Sequence, residues 1–258
     1  MPVIISDCND LDTNYKLENR TMKLIYKISK FFAFVACLAL TTNSFARATD
    51  SPVGTWEVAV SGGASGIGYL TFNSDHSFEG YGISKTSYGL VEYEGTWEIS
   101  NNKIVGTYTE YLDGDYLSEG NYSGTAKAGN SISLAASVSG ISYKFKGKPT
   151  VFLTNISGSY AGSIKQLGYT GTCNFSVEPS GSLGLFRVNG SVSVPGVISY
   201  TFVGYIILDG KGNIIICSDS SSNSFPSSTW GKIKNGGTTK LKGYQQYQSS
   251  FTLSFSRL

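Results

Sequence analysis

Residues 91–100 alternate without a break. Val91, Tyr93, Gly95, Trp97 and Ile99 are apolar or small, while Glu92, Glu94, Thr96, Glu98 and Ser100 between them are polar. A period of two places one set on a buried face and the other in water, the pattern of a β-strand with one wet side. Asn101-Asn102 follows, then a second strand-like run at 103–110. Asparagine tolerates the positive φ that a two-residue hairpin turn demands. A turn at those two residues predicts Ile99 opposite Ile104, Trp97 opposite Gly106 and Tyr108 opposite Gly95. Each large ring then faces a glycine, which makes room for it.

The rest of the chain past residue 50 reads as variations on this hairpin. Strands are predicted at 54–60, 67–72, 77–84, 89–100, 103–110, 117–127, 131–138 and 141–148. Gly62-Gly63, Asn73-Ser74-Asp75, Asp113-Gly114-Asp115, Gly129-Asn130 and Ser139-Gly140 punctuate them as turns. No window shows a clean 3.6-residue period. Gly, Ser, Thr, Tyr and Phe are abundant and charged residues few, a composition that suits strands and turns.

The second half repeats the first. Gly158-Ser159-Tyr160 answers Gly54-Thr55-Trp56; Phe175, Val177 and Leu183 answer Leu70, Phe72 and Phe78; Phe202, Gly204, Ile206 and Leu208 answer Tyr93, Gly95, Trp97 and Ile99. The offset grows where residues 189–195 insert. These registrations argue for a diverged tandem duplication. Eight short antiparallel strands leave two exposed edges, which closure into a barrel removes. The expected fold is all-β: two small antiparallel eight-stranded meander barrels in tandem, spanning 47–150 and 151–258, with the boundary near 149–155. One larger β-sandwich shared by both halves is the alternative.

Gly54-Thr55-Trp56 has the Gly-x-Trp that opens the first strand of lipocalins. With an eight-strand meander of about one hundred residues, each half resembles a small bacterial lipocalin-like (calycin-type) domain. The resemblance implies a cup-shaped barrel with an apolar pocket and a first-strand Trp packed at its closed end. The second half departs from it, with Tyr160 in the Trp position.

Residues 1–46 read as an upstream segment plus a signal peptide, with the true start at Met22. Lys23, Lys27 and Lys30 precede an apolar run at 31–40, too short to span a bilayer, and Ser44-Phe45-Ala46 offers small residues at a cleavage site. The protein is expected to be exported, to the periplasm or the cell exterior. Phe34-Val35-Ala36-Cys37 also resembles a lipobox, and membrane contact is expected only if Cys37 is lipidated. Beyond residue 46, 15 Lys and Arg balance 14 Asp and Glu, unlike a nucleic-acid binder. The first half carries 11 acidic and 7 basic groups and the second 3 and 8. Opposite signs either favour docking of the halves or are incidental; the sequence leaves both open. Cys173 and Cys217 both fall on predicted inward faces, Cys217 opposite Gly204 if residues 209–212 form a four-residue turn. In an oxidising compartment they are a possible disulfide or two buried thiols.

Chemistry-bearing constellations are sparse. His76, the one histidine, sits in a predicted turn, with no Gly-x-Ser-x-Gly elbow elsewhere. One histidine and two cysteines match no zinc spacing. Asp113, Asp115 and Glu119 read as a solvated hairpin loop rather than a calcium site. Glu92, Glu94 and Glu98 read as a solubilising stripe rather than glycosidase carboxylates. No catalytic residue, metal or cofactor is expected, and the protein is expected not to be an enzyme. The aromatic residues Trp56, Phe72, Tyr93, Trp97 and Tyr108 share the inner face and are the candidate ligand-binding set, with glycines opposite rings as the sign of space; a packed core is the competing reading. Tyr244, Tyr247 and Phe251 offer an exposed patch. The leading expectation is an exported barrel protein taking a small apolar ligand. The alternatives are an interaction module with filled barrels that meets an envelope or host protein, and an outer-membrane barrel.

Overall fold

The computed structural model describes residues 49–85, 89–150, 154–196, 198–218, 227–234, 238–245 and 250–258. The signal segment, Cys37 and Tyr247 lie outside them, and nothing is stated of the Tyr244 side chain. The chain is all-β. The first eight strands are β1 (Gly54–Gly62), β2 (Gly66–Phe72), β3 (Ser77–Ser84), β4 (Val91–Ser100), β5 (Lys103–Leu112), β6 (Asp115–Lys127), β7 (Ser131–Val138) and β8 (Ile141–Pro149). Each pairs antiparallel with the next, and β8 closes on β1. The second eight are β9 (Gly158–Gln166), β10 (Tyr169–Pro179), β11 (Leu185–Val194), β12 (Ile198–Leu208), β13 (Asn213–Ser218), β14 (Ser227–Lys232), β15 (Thr239–Gln245) and β16 (Ser250–Arg257). They close in the same way through β16 and β9. Two closed eight-stranded meander barrels in tandem are therefore what the period-two pattern builds, and each of the described strands has a neighbour on both sides.

The founding hairpin has the predicted register: Ile99 pairs with Ile104, Trp97 with Gly106, Gly95 with Tyr108. Asn101 and Asn102 both have positive φ, 50° and 59°, the backbone of a turn whose twist matches its strands. Ile99 differs from expectation. It is 46% exposed, because β3 pairs with β4 only as far as Thr96 and leaves Ile99 a partner strand on one side.

Each barrel is plugged at the end where its chain enters. In the first, Ala126 N–H donates to Thr49 Oγ1 (2.7 Å), and Trp56 Nε1 donates to Pro52 O (2.6 Å). In the second, buried Ile156 fills the same place, and the Tyr160 hydroxyl donates to Ile156 O (2.6 Å). Tyr160 thus reproduces the Trp56 bond, four residues back in both cases. The duplication holds in register, with one correction. Phe72 pairs with Phe78, six positions on, whereas Val177 pairs with Val188, eleven on. The five extra residues lie in the β10–β11 turn, not at 189–195, and Leu183 sits in that turn instead of answering Phe78.

This inserted turn joins the barrels. The Tyr81 hydroxyl donates to Leu183 O, Leu208 N–H donates to Gly184 O (2.8 Å), and the Tyr69 hydroxyl donates to Leu208 O. Gly184 has φ +68°, and a Cβ there would sit 2.5 Å from the Tyr69 oxygen, so only glycine suits the position. Around these bonds Tyr69, Ile83 and Leu90 pack with Leu185, Ile207, Ile215 and Cys217. Glu57 is buried beside them, accepting from Gly210 N–H at 2.7 Å, with Lys148 Nζ at 3.6 Å. That cation comes from Glu57's own barrel; between the halves apolar burial is joined by the Gly210–Glu57 bond and by Lys85 Nζ, 5.5 Å over the Trp230 ring. Ser228 Oγ donates to Ser84 O near the far ends, so the barrels lie side by side with both open ends on one side.

Cys173 and Cys217 are buried and not bonded to one another. Cys173 lies inside the second barrel, where burial pushes its thiol up to about 12. Cys217 faces outward into the inter-barrel cluster. Its partner is Tyr205, not Gly204, because Leu208 pairs with Ile214 and leaves five residues in the loop. Asp209 holds the longer loop by accepting from Lys211 N–H and Asn213 N–H. One extra residue moves every following side chain to the other face. Phe251 is also not a surface residue: it packs in the second core with Leu253 and Phe255, while Thr252 between them is exposed. Along β16 the apolar residues face inward and Thr252 outward, opposite to the alternation of a lipid-facing strand.

Candidate functional site: the mouth of the first barrel

Three of the five candidate aromatics are packed toward the closed end. Trp56, Phe72 and Trp97 are buried; Phe72 stacks on Phe78 at 5.6 Å and meets Trp97 edge-on at 6.2 Å. Trp97 Nε1 donates to Asn73 O (3.0 Å), and exposed His76, at φ +70°, stacks on the Trp97 ring at 4.7 Å. The glycines opposite these rings do not leave space for a ligand. A Cβ on Gly106 would lie 2.7 Å from the Tyr122 oxygen, and one on Gly120 would lie 2.9 Å from the Tyr108 oxygen. Rings from neighbouring strands lie over the glycines and fill the room. Between Leu70, Phe78, Tyr108, Tyr122 and Phe145 a cavity of about 30 Å³ remains, and the second barrel keeps about 40 Å³. Each is on the scale of one water molecule.

Tyr93 and Tyr108 lead out of this core. Above them the open end of the first barrel widens into a recess of about 230 Å³. Its walls are Val60, Val91, Leu112 and Leu117, glycines 63, 66 and 82, and the side chains of Tyr93, Tyr143 and Glu110. The pairing builds the polar part directly. Tyr93 lies opposite Glu110 across β4–β5, and Glu110 opposite Ser118 across β5–β6. Ser118 Oγ donates to Glu110 Oε2 at 2.7 Å, and Tyr93 shares the wall of the recess with this carboxylate. Beside Glu110 the β5–β6 register shifts, with Tyr111 paired to Tyr116 and Leu117 as the extra residue. A bulge at a barrel rim re-aims the side chains around it; here it pushes Leu117, half exposed, over the recess. Ile141, 50% exposed, stands next to Gly63 at the edge of the recess, while Tyr116 packs outside against Tyr111.

Burial first, and the Glu110 charge second, hold the Tyr93 hydroxyl far above the usual phenol range. The same two causes push Tyr108 up to about 12. Both are therefore neutral hydrogen-bonding groups at physiological pH. Among the described residues lining the recess, Glu110 is the one charged side chain. Glu110, Ser118 and Tyr143 are site residues that the alternation argument passed over, yet Glu110 has the parity of Ile104, Gly106 and Tyr108 and so falls on the inner face of its strand. The remaining candidates are elsewhere. Glu92, Glu94 and Glu98 are exposed on the outside of β4, and the Tyr111 hydroxyl donates to Glu94. Asp113 accepts from Leu90 N–H at 2.9 Å and pins the β3–β4 loop.

No protein-family profile matches the chain, and no curated protein matches it. Among solved structures it is similar to the crystal structure of a protein of unknown function from the DUF3598 family of Nostoc punctiforme. The identity is 12%, over 80% of this chain and 96% of that one, with a TM-score of 0.22. A superposition that loose carries no argument. What stands is the architecture, two closed eight-stranded antiparallel barrels in tandem.

Proposed function

We propose that the protein is an exported, non-enzymatic binding protein of lipocalin-like build that takes a small, largely apolar ligand at the mouth of its first barrel. The observation that carries this reading is the recess of about 230 Å³ above a packed floor. Its volume equals roughly eight waters at about 30 Å³ each, so a ligand of one ring and a short chain enters and part of it projects past the apolar rim. The recess combines apolar walls with a few converging polar groups, the usual make-up of a small-ligand site. The basic and apolar segment upstream supports export, and the plugged end at Trp56 supports the lipocalin-like reading. Tyr93 and Tyr108, kept neutral by burial, serve as hydrogen-bonding groups rather than nucleophiles.

The test is titration of the purified chain, followed by native mass spectrometry and calorimetry, with phenylethyl compounds carrying neutral, anionic and cationic heads. One-to-one saturable binding of any of them, lost in Val60→Trp, which fills the recess, supports the reading. Absence of saturable binding for all of them overturns it. The second reading, an interaction module meeting an envelope or host protein, is favoured by the filled interiors below the mouth, and it gains if the titration fails and a protein partner co-purifies.

A further inference from the structure

We propose that the recess selects ligands with a cationic head, a primary or quaternary ammonium, bound by Glu110 within a ring of tyrosines. This rests on the reading that the mouth of the first barrel is a ligand site. Glu110 projects from the inner face of β5 with one hydroxyl donor, Ser118, and lies opposite Tyr93 across β4–β5. Among the described residues it makes no ion pair, whereas Glu57, buried on the outer face of β1 against the second barrel, has Lys148 at 3.6 Å. The nearby lysines of β8, at 144, 146 and 148, alternate with Tyr143, Phe145 and Gly147 and so point away from the lumen. The half-buried Glu110 carboxylate faces an aromatic mouth that supplies no cation of its own among the described residues, and a matching charge is worth more there than in open water. A ligand ammonium supplies that charge, and ring faces attract it through their quadrupoles. Tyr93 packs edge-on against Tyr108 at 6.3 Å and Phe145 at 6.2 Å, which fixes its ring beside the carboxylate. The apolar walls and the exposed Leu117 then take the body of the ligand. An anionic head would meet Glu110 as a like charge, and a neutral head would forgo the pairing.

The test compares 2-phenylethylamine, phenylethyl-trimethylammonium, 2-phenylethanol and phenylacetate on the purified chain by calorimetry, in wild type and in the isosteric Glu110→Gln variant. The two cations are expected to bind at least tenfold more tightly than the alcohol and the acid, and Glu110→Gln to reduce that preference to within about threefold. If the alcohol or the acid binds as tightly as the cations, the inference is overturned while the ligand site stands. If the cation preference survives Glu110→Gln, the assignment to Glu110 is overturned. If none of the four binds saturably, the ligand site itself falls and the inference with it. The wild-type series decides head-group preference even if Glu110→Gln fails to fold.

Discussion

The two barrels share strand order, plug and hairpin register, yet they dock through faces that do not correspond. The first barrel offers the outside of β2–β3, where Ile67, Tyr69, Tyr81 and Ile83 form two adjacent pairs. The corresponding pairs on β10–β11 are Thr172 with Ser193 and Asn174 with Ser191, a polar surface. The second barrel offers the outside of β12–β13, with Tyr205, Ile207, Ile215 and Cys217. The corresponding outside of β4–β5 carries Thr96, Glu98, Val105 and Thr107. A head-to-tail interface between duplicated units can in principle extend without limit. Here each barrel keeps one apolar outer face, covered by the other barrel, and carries polar residues where its partner has its docking face. The difference between copies that matters lies on their outer faces; inside, both are packed to within about one water volume.

The largest expected effect comes from erasing that difference at the buried side. Ile207 corresponds to Glu98, and Ile207→Glu buries an unpaired carboxylate in the inter-barrel cluster. It should cost about 3–5 kcal/mol and split urea unfolding into two transitions; a single transition at the wild-type midpoint would mean the cluster does not hold the barrels. Alkaline pH comes next. The Cys173 thiol is raised from 9.0 to about 12 in the fold, so its contribution is intact below pH 9. Between about pH 9 and 12 the unfolded chain gains the thiolate and the fold does not, and stability falls by up to about 1.4 kcal/mol per pH unit. Cys173→Val should flatten that fall in denaturation curves at pH 8 and 10.5, and in neutral buffer neither Cys173 nor Cys217 should react with a thiol reagent until the chain unfolds. A smaller effect attends Tyr69→Phe, which deletes the bond to Leu208 O. It should cost about 1 kcal/mol, read as a lower urea midpoint with an unchanged slope. The smallest effect on stability is expected for Glu98→Ile, within about 0.5 kcal/mol. This variant gives the first barrel the residue by which the second docks, and sedimentation should show more self-association than for wild type.

The hairpin at 91–110 was legible because alternation and turn chemistry are local, and they specified its register residue by residue. The docking faces were also written in the chain, as breaks in alternation. Tyr205-Ile206-Ile207-Leu208 and Ile214-Ile215-Ile216-Cys217 are continuous apolar runs, the mark of strands buried on both sides. The facing of Cys217 was not legible, since it hinges on whether the loop at 209 holds four residues or five. Nor was the filling of the lumen: a glycine opposite Trp97 says that room exists, and only the packing says that Tyr122 occupies it. The recess stands between these cases, with Glu110 on the inner parity for anyone counting, and the bulge at Leu117 visible only once β5 and β6 are paired.

Sequence alone therefore determined the facing and register of strands joined by a turn of evident length, as at 91–110, and that the unit occurs twice, because those properties arise within a hairpin. Tertiary structure decided which outer face is covered, where the lumen is solid and where a carboxylate meets three strands at an open rim. Those depend on side chains far apart in the chain competing for one volume, and a local pattern holds no record of that competition.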